Sequence, residues 1–398
     1  MKQVLILFPD TFLWLKDNTG LLYNAKSFEK DGFNYTPALK SLCSALLFVD
    51  NLYTIEIEPE NLTAEEVKFV DLVIRKKYGF ITEHPAKAYS LPPVLSIQND
   101  IKKMELNLSR SVNENILKYL TTLTIYTGGR FPGPLYYRQT YYPFHSESRL
   151  EDSEILNFLD HIHSRYIKKI NIVFSHIEAI NYLISLIEKL KAAAPTVVYY
   201  CHVRELSDNI TSILTQLDVT TILICEYEPA SLTTLRGFLE YHRSHHPFEF
   251  NFLIRSQTEY NYWEHLIIQY EVKLYKFIPI YDNNYAFFNR FVFLNEEDIT
   301  NTTLSKRIVF AHQAVNINFF GELILLPDGL VYSNVNKPPV GYMQDSPYDL
   351  IKNELHKNYA WRIIRDQEPC SECVYQWLCP SPGQYELILG KNNLCTIK

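Results

Sequence analysis

Between residues 123 and 280 the chain alternates short apolar runs with stretches of helical periodicity. The runs at 123–126, 170–174, 197–201, 222–225, 250–254 and 274–280 read as strands, each too short for a buried helix. Residues 154–163, 178–193, 209–217, 231–242 and 262–270 read as the helices between them. Strands that are apolar on both faces and joined through helices predict an α/β fold with a parallel sheet. Six strand–helix steps predict a (β/α)6 order, closed or partly closed into a barrel.

The flanks have a different texture. Residues 5–8 and 11–15 are strand-like, Asp17-Asn18-Thr19-Gly20 is a turn, and 21–24 is a return strand. Thr36-Pro37 opens a helix whose apolar face is Leu39, Leu42, Cys43, Leu46 and Leu47. Residues 52–57 alternate as a strand. Thr63-Ala64-Glu65-Glu66 reads as a capping box, and the helix it starts carries Val67, Val70, Leu72 and Ile74 and ends near Gly79. This order of hairpin, helix, strand and helix is an α+β unit compatible with a winged helix. Leu91-Pro92-Pro93 marks its end. From about residue 311 the alternation stops. Residues 320–326 and 330–332 flank Pro327-Asp328-Gly329 as a hairpin, and a helix over 350–364 follows. The expected segments are therefore 1–92, 93–310 and 311–398.

The last segment contains Cys370, Cys373, Cys379 and Cys395, four of the chain's seven cysteines within its final 29 residues. Four thiolates complete one four-coordinate metal site or one cubane cluster. The spacing suits tetrahedral zinc and a 4Fe–4S cluster equally well. Either site would be closed, leaving no position for substrate. The remaining properties narrow the class. A net charge of −7 leaves no broad basic field, so nucleic acid is not an expected partner. The first twenty residues are interrupted by Pro9, Asp10 and Lys16, so neither a signal peptide nor a membrane span is expected. A cytoplasmic protein with reduced thiols follows, which favours metal ligation over disulfides.

The hairpin and cysteine segment resemble the SPASM domain, the C-terminal iron–sulfur module of peptide-modifying radical SAM enzymes. In that family a Pro-Asp-Gly hairpin precedes C-x2-C-x5-C-x3-C and one further cysteine, and two auxiliary clusters result. Cys370, Cys373 and Cys379 match the first three positions, Gly383 stands where the fourth should be, and Cys395 matches the last. The hairpin flank has Asn334, with no cysteine between Cys225 and Cys370. The resemblance thus implies that the first auxiliary cluster has lost its ligands and that the second, a 4Fe–4S cluster, keeps all four.

A radical SAM enzyme also needs C-x3-C-x2-C after its first strand. Here that loop reads TGGRFPGPLYYRQTYYPFH, without cysteine, and Cys43, Cys201 and Cys225 are too scattered to replace the triplet. Ser175-His176-Ile177-Glu178 occupies the place of the glycine-rich S-adenosylmethionine motif. The chain resembles a pseudo-radical-SAM protein, of the group encoded beside an active radical SAM maturase and a small precursor peptide. The implied architecture is α/β. It comprises a degenerate partial (β/α)6 radical-SAM-like barrel, an N-terminal α+β, winged-helix-like domain resembling peptide-recognition elements, and a small cysteine-rich SPASM-like module.

Other signals are weaker. Gly128-Gly129 with Arg130 lacks the spacing of a phosphate cradle and reads as a mobile loop. Arg130, Tyr136, Tyr137, Arg138, Tyr141 and Tyr142 would suit a peptide-binding lip or a packed loop. His242 and His246 share a helical face but lack a HEXXH partner; His161 and His163 do not share one. Cys201-His202 reads as a buried strand end. Trp361, Arg362 and Arg365 precede the quartet, where the arginines would offset an anionic cluster or remain solvated.

Two functions compete on this reading. In the first the chain is a non-catalytic scaffold in ribosomal peptide (RiPP) maturation. It would bind the precursor peptide, the radical SAM maturase or both, with one structural 4Fe–4S cluster on Cys370, Cys373, Cys379 and Cys395, no S-adenosylmethionine and no catalytic residue. In the second it is a metalloenzyme or electron relay with unrecognised chemistry, or a binding protein held by one Zn2+.

Overall fold

The computed structural model describes residues 2–83, 96–105, 115–129, 135–162, 166–174, 188–207, 211–212, 214–215, 219–241 and 248–397. Leu91-Pro92-Pro93, Arg130, His163, Ser175-His176-Ile177-Glu178, His242, His245, His246 and much of the helices expected over 178–193 and 209–217 lie outside them. No helix of the described residues is long and apolar enough to cross a membrane.

The N-terminal unit runs Gln3–Leu7 (β1), Thr11–Lys16 (β2), Thr19–Asn24 (β3), Lys30–Asn34 (β4), Pro37–Leu47 (α1), Thr54–Ile57 (β5), Ala64–Arg75 (α2) and Gly79–Thr82 (β6). These make two antiparallel three-stranded sheets, β5-β1-β6 and the meander β2-β3-β4. Asp17 takes a left-handed φ of 49° in the expected turn. Gly20 leaves room for the Phe33 ring, which would lie 2.3 Å from a Cβ there. The Thr63–Glu66 capping box forms in both directions. Helix α2 buries Phe69, Val70 and Val73, whereas Val67 and Ile74 of the expected face point to solvent. Phe69 decides this rotation: its ring packs 5.1 Å from that of Phe33.

The central sheet follows Ser96–Glu105 (α3). Its parallel strands are Thr122–Tyr126 (β7), Lys169–Val173 (β10), Thr196–His202 (β11), Thr220–Cys225 (β12), Glu249–Ile254 (β13) and Tyr275–Pro279 (β14). Between the first two lie Gly128–Gly129 (β8), Ser146–Arg149 (β9) and Asp152–His161 (α4). Crossovers Pro229–Tyr241 (α5) and Gln257–Tyr270 (α6) join the later strands. Short helices Tyr285–Phe291 (α7), Glu296–Thr300 (α8) and Lys306–His312 (α9) lead to Glu322–Leu325 (β15), Leu330–Tyr332 (β16) and Gly341–Tyr342 (β17). The sheet does not stop at six strands. β15 pairs parallel with the free side of β7, and the hairpin extends it to nine in the order β14-β13-β12-β11-β10-β7-β15-β16-β17.

Helix Pro347–Lys357 (α10) ends well before the expected residue 364. Asn358 turns left-handed at φ 54°, and the buried Glu354 carboxylate accepts the Ala360 and Trp361 N–H groups at 2.8 and 2.7 Å. The chain is thereby redirected before Arg362, which therefore does not share a helix with Arg365. A last helix, Gln384–Leu389 (α11), separates Cys379 from Cys395.

Alternation along each strand gives the sheet two faces. Leu123, Ile125, Ile170, Ile172, Leu223, Phe250, Phe252 and Leu325 belong to the larger core on the helix side. The opposite face carries Tyr126, Val173, Val198, Tyr200, Ile222, Ile224, Leu253 and Ile324. That inner face is filled by the chain itself. Residues 135–145, the segment after β7, fold onto it: Tyr136 and Tyr142 are buried, and Tyr137, Tyr141 and Phe144 pack beside them. The tyrosines weighed as a binding lip are therefore packing residues. Gly128 and Gly129 pair with β9 instead of forming a loop, and a Cβ on Gly128 would come within 2.5 Å of the Ser148 carbonyl.

Glu322 lies on the inner face, where Thr124 and Tyr141 donate to its carboxyl, the latter at 2.9 Å. Burial pushes that carboxyl up, and the two donors and Lys169 only partly oppose the shift. A raised folded value gives stability that is present below the ordinary glutamate value of about 4.3 and lost as pH rises through the elevated one. Glu322→Gln should therefore flatten stability against pH over that window, read by urea denaturation at a series of pH values. A second prediction concerns the docked meander. Tyr23 Oη accepts the Leu304 N–H at 2.7 Å and donates to the Leu304 carbonyl at 2.5 Å. Tyr23→Phe should cost about 1–3 kcal/mol in the same measurement.

Candidate metal centre

The four C-terminal cysteines converge. Cys370 and Cys373 bracket one 3-10 turn, with the Cys373 N–H on the Cys370 carbonyl at 3.1 Å, which turns both side chains the same way. Cys379 follows after a tight turn closed by its N–H on the Tyr375 carbonyl. Cys395 is brought back by a parallel bridge to Leu294, flanked by Leu294 N–H to the Leu394 carbonyl and Thr396 N–H to the Leu294 carbonyl, both 2.9 Å. All four are free thiols and line one cavity of about 800 Å³. Cys370 and Cys379 are buried; Cys373 and Cys395 are half-exposed on the cavity side. The opposite wall is the meander, through Asp17, Asn18, Gly20 and Phe33. Phe12, Leu21 and Tyr23 of the meander pack with Leu378 and Cys379, and Lys16 Nζ donates to the Ser371 carbonyl.

Donors surround the sulfurs. Arg365 Nη1 points at Cys370 Sγ at 3.8 Å, Asn393 Nδ2 lies 3.2 Å from Cys395 Sγ, and the Tyr375 backbone N–H is directed at Cys373. Without metal, burial pushes the Cys379 thiol up to about 12, and Cys370 and Cys373 are also raised by burial. Such a site must exchange its thiol protons for a metal. The donor set suits thiophilic metals: four convergent sulfurs, one buried cation and N–H groups aimed at sulfur. Elsewhere, His202, Glu226 and Glu228 bring three potential ligand atoms within 4.8 Å of one another.

Arg365 was one of two arginines singled out in the sequence, and the structure separates them. Arg365 is buried, bonded to Glu386 Oε1 at 2.8 Å and to the carbonyls of Pro380 and Asn392. Burial opposes its charge, but Glu386 outweighs burial and holds the guanidinium protonated. Arg362 has no such link; its N–H bonds the Asn358 side chain. Glu386 and Asn393 carried no sequence signal, because neither belongs to a spacing motif. Trp361 is buried and ties the segment to the sheet through Nε1 and the Glu322 carbonyl at 2.9 Å.

The positions marked by missing cysteines also meet. Asn334 after the hairpin donates to Gln384 Oε1 at 3.1 Å, beside Gly383, and Asn336 donates to the same oxygen at 2.8 Å. Amide hydrogen bonds join the hairpin to the cysteine segment there.

A second polar group lies at the C-terminal ends of the parallel strands. His202 ends β11, Glu226 follows β12 and Arg255 follows β13. Inner-face alternation extended by one residue on each strand would have found all three. Tyr142 Oη donates to Glu226 at 2.8 Å, and Arg255 donates to Tyr136 Oη at 3.1 Å, so the group holds the tyrosine segment. His202 Nδ1 accepts the Arg204 N–H, which leaves the neutral ring's proton on Nε2, 3.5 Å from Glu226. Burial pushes His202 down. Burial also opposes the Glu226 charge, but His202, Tyr142 and Arg255 outweigh it and hold that carboxyl low. Glu228 is taken by Arg204 at 2.8 Å and Ser231 at 2.7 Å. Cys201 and His202 point to opposite faces and form no pair. His161 is exposed, with Nδ1 on the Asn157 carbonyl.

No family model and no curated protein matches the chain. Among the solved structures it resembles, two are similar along nearly its full length. One is Streptococcus suis SuiB bound to S-adenosylmethionine, 10% identical, TM-score 0.44, covering 99% of this chain and 97% of that one. The other is SuiB bound to precursor peptide SuiA, 12% identical, TM-score 0.45, covering 99% and 100%. Both scores are below 0.5, and the functional reading rests on the chain's own residues.

The Arg365–Glu386 pair makes a direct prediction. Arg365→Met leaves a buried carboxylate without its cation and should cost about 3–5 kcal/mol. Arg365→Met with Glu386→Gln should recover part of that loss, because the neutral amide still accepts the Gly383 N–H now bonded to Glu386 Oε2 at 2.9 Å. Denaturation followed through Trp377 and Trp361 fluorescence checks both.

Proposed function

We propose that this chain is a non-catalytic partner in the maturation of a ribosomally made peptide. It binds the precursor peptide, the active radical SAM maturase, or both. Cys370, Cys373, Cys379 and Cys395 hold one structural 4Fe–4S cluster. The observation that carries the reading is the filled inner face. In the enzymes the sequence resembles, the segment after the first barrel strand carries the reactive cysteines. Here that segment supplies Tyr136, Tyr141, Tyr142 and Phe144 to the inner core, with Tyr136 and Tyr142 hydrogen-bonded by Arg255 and Glu226. The strand ends that would face a bound cofactor are occupied by the chain's own side chains.

The resemblance of the cysteine spacing to the SPASM pattern supports a cluster over zinc. When bound, the cluster would supply cross-linking of the C-terminal coil. Arg365 and Asn393 would orient Cys370 and Cys395, while the meander would close the fourth side. The 1–92 unit is the candidate peptide reader. The half-exposed Cys373 and Cys395 favour a second reading, electron relay to a partner across the cavity.

Anaerobic purification should give about four iron and four sulfide per chain. One zinc without sulfide would replace the cluster. Cys379→Ser should lose the metal and loosen residues 365–397 in hydrogen exchange. Titration calorimetry should show binding of the neighbouring precursor peptide or maturase, and incubation with S-adenosylmethionine and dithionite should leave the nucleoside intact. Cleavage to deoxyadenosine would sink the scaffold reading.

A further inference from the structure

Arg365 is placed as a charge source for the metal centre as well as a structural tie. Its side chain is 6% exposed and fixed at four points: Nε on the Pro380 carbonyl, Nη2 on Glu386 at 2.8 Å, and Nη1 both toward Cys370 Sγ at 3.8 Å and on the Asn392 carbonyl at 3.4 Å. The backbone of Arg365 is held as well, its carbonyl accepting Gln376 Nε2 at 2.6 Å. The guanidinium thus bridges Glu386 and the sulfur, one terminal nitrogen to each. The cation is in contact with the ligand and the anion stands behind it. Of the other cations near the quartet, Lys16 is only partly buried and spends its ammonium on the Ser371 carbonyl.

Resting on the cluster reading above, we propose that Arg365 is a positioning residue that sets the redox balance of the centre and favours its reduced form. Four thiolates make a net anionic complex, and one-electron reduction adds a further negative charge to it. A cation held in a water-poor pocket against a ligand sulfur stabilises the more negative state more strongly. Glu386 acts with opposite sign from further away. Asn393 on Cys395 adds a neutral hydrogen bond of the same direction.

The test compares reconstituted full-length proteins by metal analysis and by a dithionite titration followed by electron paramagnetic resonance. Arg365→Gln with Glu386→Gln keeps neutral hydrogen-bonding groups of similar size and removes both charges. Compared at equal iron and sulfide content, it should shift the reduction equilibrium at least tenfold toward the oxidised form, about 59 mV for one electron. Glu386→Gln alone keeps the arginine and should shift it the opposite way. A structural tie alone moves neither potential, so unchanged potentials with full iron overturn the proposal. Should the double variant fail to load, Glu386→Gln decides by itself. Zinc without sulfide in the unsubstituted protein overturns the cluster reading and this proposal together.

Discussion

The pairing of β15 with β7 is the constraint from which the C-terminal half takes its shape. It places a strand from near residue 322 beside the first strand of the parallel sheet, about 200 positions earlier, and Glu322, Ile324 and Leu325 continue the two faces of that sheet. Part of the segment after it is hung from this edge. Trp361 bonds the Glu322 carbonyl, and Asn316 bonds the carbonyls of Ile363 and Pro382 at 2.9 Å each. An irregular coil with little regular structure is thereby held before Cys370 and again between Cys379 and Cys395. A metal bound there would join a framework that side-chain amides have already roughed out.

The second organising term is the filling of the inner face. A buried aromatic ring contributes about 1.5–3 kcal/mol, but a buried phenol needs a partner for its hydroxyl. Residues just past two C-terminal strand ends supply two of those partners, Glu226 for Tyr142 and Arg255 for Tyr136, and Glu322 at the start of β15 serves Tyr141. Polar groups of the inner face and tyrosines in the segment after β7 are thus complementary halves of one packing solution.

The parallel strands, the meander turn, α1 and the Thr63 capping box were legible in the sequence, because each rests on local periodicity or on residues three or four apart. What was not legible depends on long-range partners. The facing of α2 was decided by Phe33, 36 residues before Phe69. The early end of α10 was decided by a carboxylate that looks forward to Ala360 and Trp361. The cysteine positions were plain, while the Arg365–Glu386 pair behind them was not, since a buried ion pair leaves no spacing rule. The Tyr-rich loop could be read as a surface or as packing, and only the depth of the sheet's inner face separates the two.

The uneven cover of the four thiols has a chemical corollary. All four cysteines line the cavity, but Cys370 and Cys379 are buried more deeply than Cys373 and Cys395. Oxidation to sulfenic acid or disulfide follows access and thiolate character. On access alone, Cys373 and Cys395 would meet an oxidant ahead of Cys370 and Cys379. Phe12, Leu21 and Tyr23 of the meander pack with Leu378 and Cys379, so a shift of β2 and β3 would open the Cys379 side of the cavity without changing any of the four cysteines.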